Sequence, residues 1–247
     1  MNSPVDELKK TFKGCGFGVS GNCCNICFLG PCRLDPFTEA QHGKCDFNRL
    51  KITIADLLLK CNYQLGKLLD DSLSDEQMNM NLPNDTIAKS VKWVSQGGEA
   101  DEMEGVDLFI KASRILLDAS LYNYKSGRAD KIDSEYESIY CIKNEGINID
   151  KNILKDKLQN CKEASQNTVS SLLGADDFIN SKDGIALICD KPDWSIWPIL
   201  CGFGAAGFTV VAELPLPIKI NRRFLAIINE LLNSSSGGRI IELSNNQ

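Results

Sequence analysis

Residues 15–45 read CGFGVSGNCCNICFLGPCRLDPFTEAQHGKC and hold six of the eleven cysteines: Cys15, Cys23, Cys24, Cys27, Cys32 and Cys45. Their spacing is C-x7-C-C-x2-C-x4-C-x12-C. Thiolate is a soft ligand suited to iron, zinc or copper(I), so a dense cysteine run without an export signal reads first as a metal site. A cubane iron–sulfur cluster takes four thiolates, and Cys24, Cys27, Cys32 and Cys45 make one complete set. Cys23 adjoins Cys24 and is expected to point away from that set. Cys15 and Cys23 are then half a set, which a two-fold partner would complete across an isologous interface. Gly14, Gly16, Gly18, Gly21, Gly30 and Gly43 punctuate the stretch. They let backbone N–H groups turn tightly and approach cluster sulfurs. Zinc and disulfides are the alternatives. Structural zinc usually separates two short knuckles, whereas this run is compact and the chain's single histidine is His42. Disulfides belong to exported chains, and the opening MNSPVDELKKTFK has no apolar run for a signal peptide.

Taken together, CGFG at 15–18, Gly21, the Cys23-Cys24 pair, Cys27, GPCR at 30–33, Pro36-Phe37 and Gly43-Lys44-Cys45 resemble the N-terminal segment of anaerobic nickel–iron carbon monoxide dehydrogenases. The resemblance covers residues 14–60. It implies a homodimer in which Cys24, Cys27, Cys32 and Cys45 hold a [4Fe–4S] cluster in each subunit. Cys15 and Cys23 would hold one [4Fe–4S] cluster bridging the dimer. It further implies an anaerobic setting and a redox partner, either a ferredoxin or a larger enzyme.

The departures from that family are as informative. Its catalytic nickel cluster uses a histidine in a V-H-G-H-x-P type sequence, where this chain has Ile188-Cys189-Asp190-Lys191-Pro192. A later family ligand lies in a V-V-G-x-C-C type sequence, where this chain has Val210-Val211-Ala212-Glu213-Leu214-Pro215. The helix after the cluster segment, Leu50 to Asp71, has none of the family's histidines. The expectation is a member cut down to its electron-transfer wiring, with no nickel cluster and no catalytic residues of its own. Two alternatives stand beside it: a catalytic enzyme with an altered cluster, and a scaffold subunit of a redox complex. Cys189 and Cys201 are the remaining candidates for a metal site, set against a plainer reading as small buried thiols.

The chain has 247 residues, 43% of them hydrophobic, and a formal net charge of −6. The acidic balance argues against nucleic acid, which wants a basic face. No apolar span of 18 residues occurs, so no membrane insertion is expected, and the unpaired cysteines point to a reducing cytoplasm.

Outward from the cysteine run, the expected fold class is α+β, mostly α, in three parts. Residues 1–46 form the cluster-binding segment, 47–178 a helical bundle, and 179–247 a partial Rossmann-like βαβαβ unit. Leu50, Ile54, Leu57, Leu58, Cys61, Leu65, Leu68 and Leu69 make a helical stripe. A second helix is expected after a cap at Asn84 or Asp85, with Ile87, Val91 and Val94 inward and Gly97-Gly98 as its stop. A third runs from 101 to 125, with Met103, Val106, Ile110, Leu117, Leu121 and Tyr124 inward. Two more are expected at 129–144 and 150–173, carrying Cys141 and Cys161 as core residues. Apolar runs at 184–190, 208–213 and 239–243 then alternate with helices at 194–206 and 219–233, the pattern of a small parallel sheet. Gly202-Phe203-Gly204-Ala205-Ala206-Gly207 matches G-x-G-x-x-G in letters only. It follows a helix instead of a strand, so it reads as a helix stop with close packing.

Overall fold

The computed structural model describes residues 22–27, 30–34, 42–72, 81–125, 138–143, 185–189 and 196–243, with isolated positions between 156 and 169. The N-terminal part is a two-stranded ribbon, β1 (Cys23–Cys24) antiparallel to β2 (Cys32–Arg33). Three helices follow: α1 (Arg49–Ser72), α2 (Asn81–Ser95) and α3 (Glu102–Lys125), with a 3₁₀ turn at Gly97–Glu99. The C-terminal part comprises β3 (Ile139–Lys143), β4 (Ile185–Cys189), α4 (Trp197–Ala205), β5 (Thr209–Ala212), α5 (Leu216–Ile220), α6 (Arg222–Ser236) and β6 (Arg239–Glu242).

Helix α1 forms where the apolar stripe predicts it. Leu50, Ile54, Leu57, Leu58, Cys61 and Leu65 are all buried, while the side chains of Leu68, Leu69 and Tyr124 lie outside the described set. Helix α2 begins earlier than expected, at Asn81. Pro83 falls in its first turn, where the N–H that proline lacks has no intrahelical acceptor anyway. Its inner face is also different. Thr86, Ser90 and Trp93 are buried and Val91 is 58% exposed. Ser90 donates its hydroxyl to the Thr86 carbonyl, so a small polar side chain fits inside without an unmet donor. Met103 of α3 likewise faces outward.

The 129–144 helix is a correction. Residues 139–143 form strand β3, and Cys141 is a strand residue. The run is too short to separate helix from strand by period alone. Its Ile and Tyr content favours a pleated surface, and it gains a five-residue ladder against β4, with Ile139 opposite Cys189 and Lys143 opposite Ile185. Farther along, the described positions Asp156, Leu158–Asn160, Lys162 and Val169 are helical, and Cys161 lies outside the described residues.

The sheet order is β3-β4-β5-β6. The β4–β5 and β5–β6 pairs are parallel and β3 is antiparallel at the edge. One face (Ile139, Cys141, Leu187, Cys189, Val210, Ala212, Ile240) joins the large helical core, and the other (Ile142, Ala186, Ile188, Val211) packs with Leu158 and Leu243. Two helices, α5 and α6, occupy the stretch where one was expected over 219–233. Asn221, at φ −106° and ψ 68°, breaks the run between them. On the outer edge of β6, the Asn229 amide donates to the Ile240 carbonyl and accepts from its N–H. It thus stands in for a neighbouring strand at one position of an edge that would otherwise be open.

Helix α3 is the axis of the molecule, packing against α1, α2, α4 and α6. Its crossing with α4 is close because Gly202 has no side chain. A Cβ there would lie 2.5 Å from the Ser113 carbonyl oxygen. The G-x-G-x-x-G letters therefore serve packing. Gly202→Ala should destabilise the chain by roughly 1–3 kcal/mol. Gly66→Ala, where nothing lies within 4 Å in α1, should stabilise it by about 0.5–1 kcal/mol. Urea unfolding under reducing conditions checks both, and equal effects at the two sites would contradict the crossing geometry.

Candidate metal centre

Side chains alternate across a strand, so the ribbon sorts adjacent cysteines. Cys24 and Cys32 are direct cross-strand partners and both are buried. Cys23 pairs with Arg33, leaving those two on the opposite face, half-buried and exposed. Arg33 therefore neighbours Cys23 rather than the inner pair. Beyond the strands, the Leu34 N–H donates to the Asn22 carbonyl (2.7 Å). Cys27 is exposed on the turn, which the Gly30 N–H closes onto the Cys27 carbonyl (3.1 Å), and the Gly30–Pro31 peptide is cis. Cys15 lies outside the described residues.

Cys45 is half-buried. The turn around it is tight: Gly43 donates to Phe47 O (2.8 Å), Asp46 donates to Gly43 O (2.9 Å), and Asp46 has φ +62°. Gly43 lies over Cys32, with a Cβ position 3.4 Å from the Cys32 Cβ and 3.5 Å from its Sγ. Beside it, the Lys44 N–H donates to Cys32 Sγ (3.4 Å), the kind of backbone contact that stabilises a thiolate. Burial raises the Cys24 thiol above its ordinary range. The Ile26 backbone hydrogen bond lowers it, and the nearby Cys45, Cys32 and Cys27 raise it again. The four thiols of the predicted set are thus neighbours.

They are not closed onto one point. Among the described residues, no three His, Cys, Asp or Glu side chains converge on a single metal-ion position. Thiolates around one tetrahedral zinc stand about 3.8 Å apart. Those of a cubane each bind a different iron and stand farther apart.

The loop is pinned to the helical body. Phe47 packs against Trp93 (centroids 5.6 Å apart), and Trp93 Nε1 donates to the Asp101 carbonyl (2.7 Å). Asn48 caps α1 by accepting the Lys51 N–H (2.9 Å) and donates to Glu102 (2.8 Å). Glu102 in turn pairs with Arg223 (2.8 Å), tying the start of α1 to the starts of α3 and α6. His42 is exposed, with Nδ1 3.2 Å from the Asp46 carbonyl. An open cleft of about 640 Å³ runs beside Cys45 between His42, Asn48 and Lys51 on one side and Gln96–Glu99 on the other. Within this wall, Gly97-Gly98 was read from sequence as a helix stop only. Its doubled glycine was the available signal.

The other two candidates, Cys189 and Cys201, are both wholly buried. Burial pushes the Cys201 thiol well up, and Cys61 adds to the shift. Cys61, also fully buried, is pushed up to about 12, with Ser113 opposing.

Over 45 residues the chain is similar to carbon monoxide dehydrogenases. It is 49% identical to the carbon monoxide dehydrogenase of Rhodospirillum rubrum across 18% of this chain and 7% of that protein. Against carbon monoxide dehydrogenase 1 of Carboxydothermus hydrogenoformans it is 47% identical over the same shares, and against that of Methanosarcina mazei 49% identical over 41 residues. The similarity thus spans less than a tenth of the relatives' length. No protein-family profile matches the chain. Among the described residues no helix is long and apolar enough to cross a membrane.

The buried thiols make a pH prediction. A thiol whose pKa is raised on folding holds its proton in the folded state while the unfolded thiol loses it near 9. Its contribution is therefore complete below pH 9 and is lost as pH rises from there toward 12. Unfolding free energy should fall above pH 9 by about 1.4 kcal/mol per pH unit for each such thiol. Cys61→Ala should remove one thiol's share of that slope in urea titrations at pH 8 to 10.5. An unchanged slope would place Cys61 in contact with water.

Proposed function

We propose that the chain is an iron–sulfur electron-transfer protein related to the wiring segment of carbon monoxide dehydrogenases. Cys24, Cys27, Cys32 and Cys45 would hold one [4Fe–4S] cluster. The observation that carries the reading is the ribbon register. It sets Cys24 against Cys32 on one buried face, with Cys27 on the turn and Cys45 beside them. The compact cysteine run, without two separated short knuckles, favours a cubane over a single zinc ion. The similarity to carbon monoxide dehydrogenases supports redox chemistry. A bound cubane would take up and return one electron. The protein's part is to fix the thiolates, donate the Lys44 N–H to Cys32, and keep the inner face dry.

Cys23, on the opposite face, would have a second role. With Cys15 it would hold a [4Fe–4S] cluster shared with a second copy of the chain, making a homodimer with a port to a ferredoxin or a larger redox enzyme. The catalytic alternative would run through Cys189 and Cys201, which are both wholly buried in the core.

Anaerobic reconstitution with iron and sulfide, followed by metal analysis and native mass, tests this. About four irons per chain are expected from the inner set, and about six if a second cluster is shared by two chains. Cys32→Ala should remove the inner four. Cys23→Ala should remove the shared two and the dimer together. A colourless protein that takes zinc in place of iron would sink the reading, and stoichiometric nickel would revive the catalytic one.

A further inference from the structure

The cleft beside Cys45 exposes an arrangement that the ligand pattern does not contain. The 3₁₀ turn Gly97–Glu99 lies some fifty residues beyond Cys45 in sequence, yet its backbone presses directly on the Cys45–Asp46 backbone. A Cβ on Gly97 would lie 2.8 Å from the Cys45 carbonyl oxygen, and one on Gly98 would lie 2.5 Å from the Asp46 Cβ. Both are closer than packed atoms tolerate. Gly97 also has φ +61°, which side chains disfavour. The contact is held on both flanks. Lys51 Nζ donates to the Gly98 carbonyl, and the Trp93 side chain that packs on Phe47 stands at the end of α2, where its carbonyl accepts the Gln96 N–H.

We propose that Gly97 and Gly98 are positioning residues for the metal centre: a seat, supplied by the helical body, that sets the fourth ligand Cys45 against the ribbon bearing the other three. The proposal rests on the reading of Cys45 as a cluster ligand. The first three ligands share one short loop. Cys45 reaches them across twelve intervening residues, and loop closure alone fixes so long a return poorly. A rigid surface without side chains fixes it instead, in the way that neighbours of a ligand hold it in place at metal sites generally.

The contact has a built-in compensating pair. Gly98→Ala puts a methyl group against the Asp46 Cβ. Adding Asp46→Gly removes that Cβ and leaves only contacts at 3.5 Å, at a position whose φ of +62° suits glycine. The test measures two quantities on each variant. One is the alkylation rate of Cys45 relative to Cys27 in the metal-free chain, read by peptide mass spectrometry. The other is the iron bound, with the electron paramagnetic resonance spectrum of the reduced protein, after reconstitution.

Gly98→Ala should speed Cys45 alkylation roughly tenfold with Cys27 unchanged, as expected of a locally opened loop, and should lower bound iron. The Gly98→Ala/Asp46→Gly pair should restore both, and Gly66→Ala should change neither. If Gly98→Ala does not fold, Gly97→Asn serves in its place, because asparagine tolerates positive φ while keeping the clash with Cys45. Unchanged alkylation and iron in the glycine variants, or failure of Asp46→Gly to restore them, overturns the seat. A wild-type chain that binds no iron, while Cys45 alkylation still responds to Gly98→Ala, overturns the ligand reading and with it the seat's bearing on a cluster.

Discussion

A two-residue ladder has too few hydrogen bonds to persist alone in water, yet the pairing of Cys24 with Cys32 depends on one. The register survives because both flanks are anchored elsewhere. Leu34, next to β2, is buried and hydrogen-bonded back to Asn22. Phe47, just after Cys45, is buried against Trp93. Apolar burial outside the ribbon thus maintains a polar geometry inside it. Metal binding to such a segment would couple to its folding, since ligands held only loosely in the unfolded chain are brought together at a cost that the bound metal offsets.

Among the described thiols, Cys24, Cys32 and Cys141 are buried with a little surface left, and the others fall into two groups. Cys23, Cys27 and Cys45 are half-buried or exposed on a loop rich in backbone donors. Cys61, Cys189 and Cys201 have no exposed surface at all. The second group includes two thiols driven to high pKa, Cys61 and Cys201, which behave as small apolar fillers of the α1, α3 and α4 packing. Cysteine count alone therefore overstates the ligand supply. On the proposed reading, spacing on a glycine-rich loop is the discriminating feature, because such a loop brings backbone N–H groups near the thiols.

This explains which parts of the molecule could be read from the sequence. The ligand spacing, the α1 stripe and the strand–helix alternation after residue 184 are periodic or local signals, and the structure has a ribbon, a helix and parallel strands at those places. Strand β3 was missed because five residues carry too little period. Its identity depends on the partner strand at 185–189, more than forty residues later. The buried face of α2 was missed because Thr86 and Ser90 are polar in composition. Ser90 is accommodated inside because its short hydroxyl donates to the Thr86 carbonyl one turn back. The role of Gly97 and Gly98 is a contact between distant segments, and a glycine pair at a helix end has an adequate local explanation that hides it.

The charge layout links the site to the rest of the fold. The run Asn48–Glu102–Arg223 joins the first residues of three elements that are far apart in sequence. The Arg223 end is largely exposed, so it adds little to stability by itself. Its geometric effect is larger, since Glu102 is mostly shielded and holds Asn48 while Asn48 caps α1 directly behind Cys45. An electron carrier, on the proposed reading, works best when its ligands shift little between oxidised and reduced states, and preorganised dipoles and fixed ligands provide that. On that reading the helical body would have a definite task with respect to the cysteine loop: α1, α2 and α3 each present a terminus to residues 45–48, and their combined rigidity would hold Cys45, the proposed fourth ligand, in place.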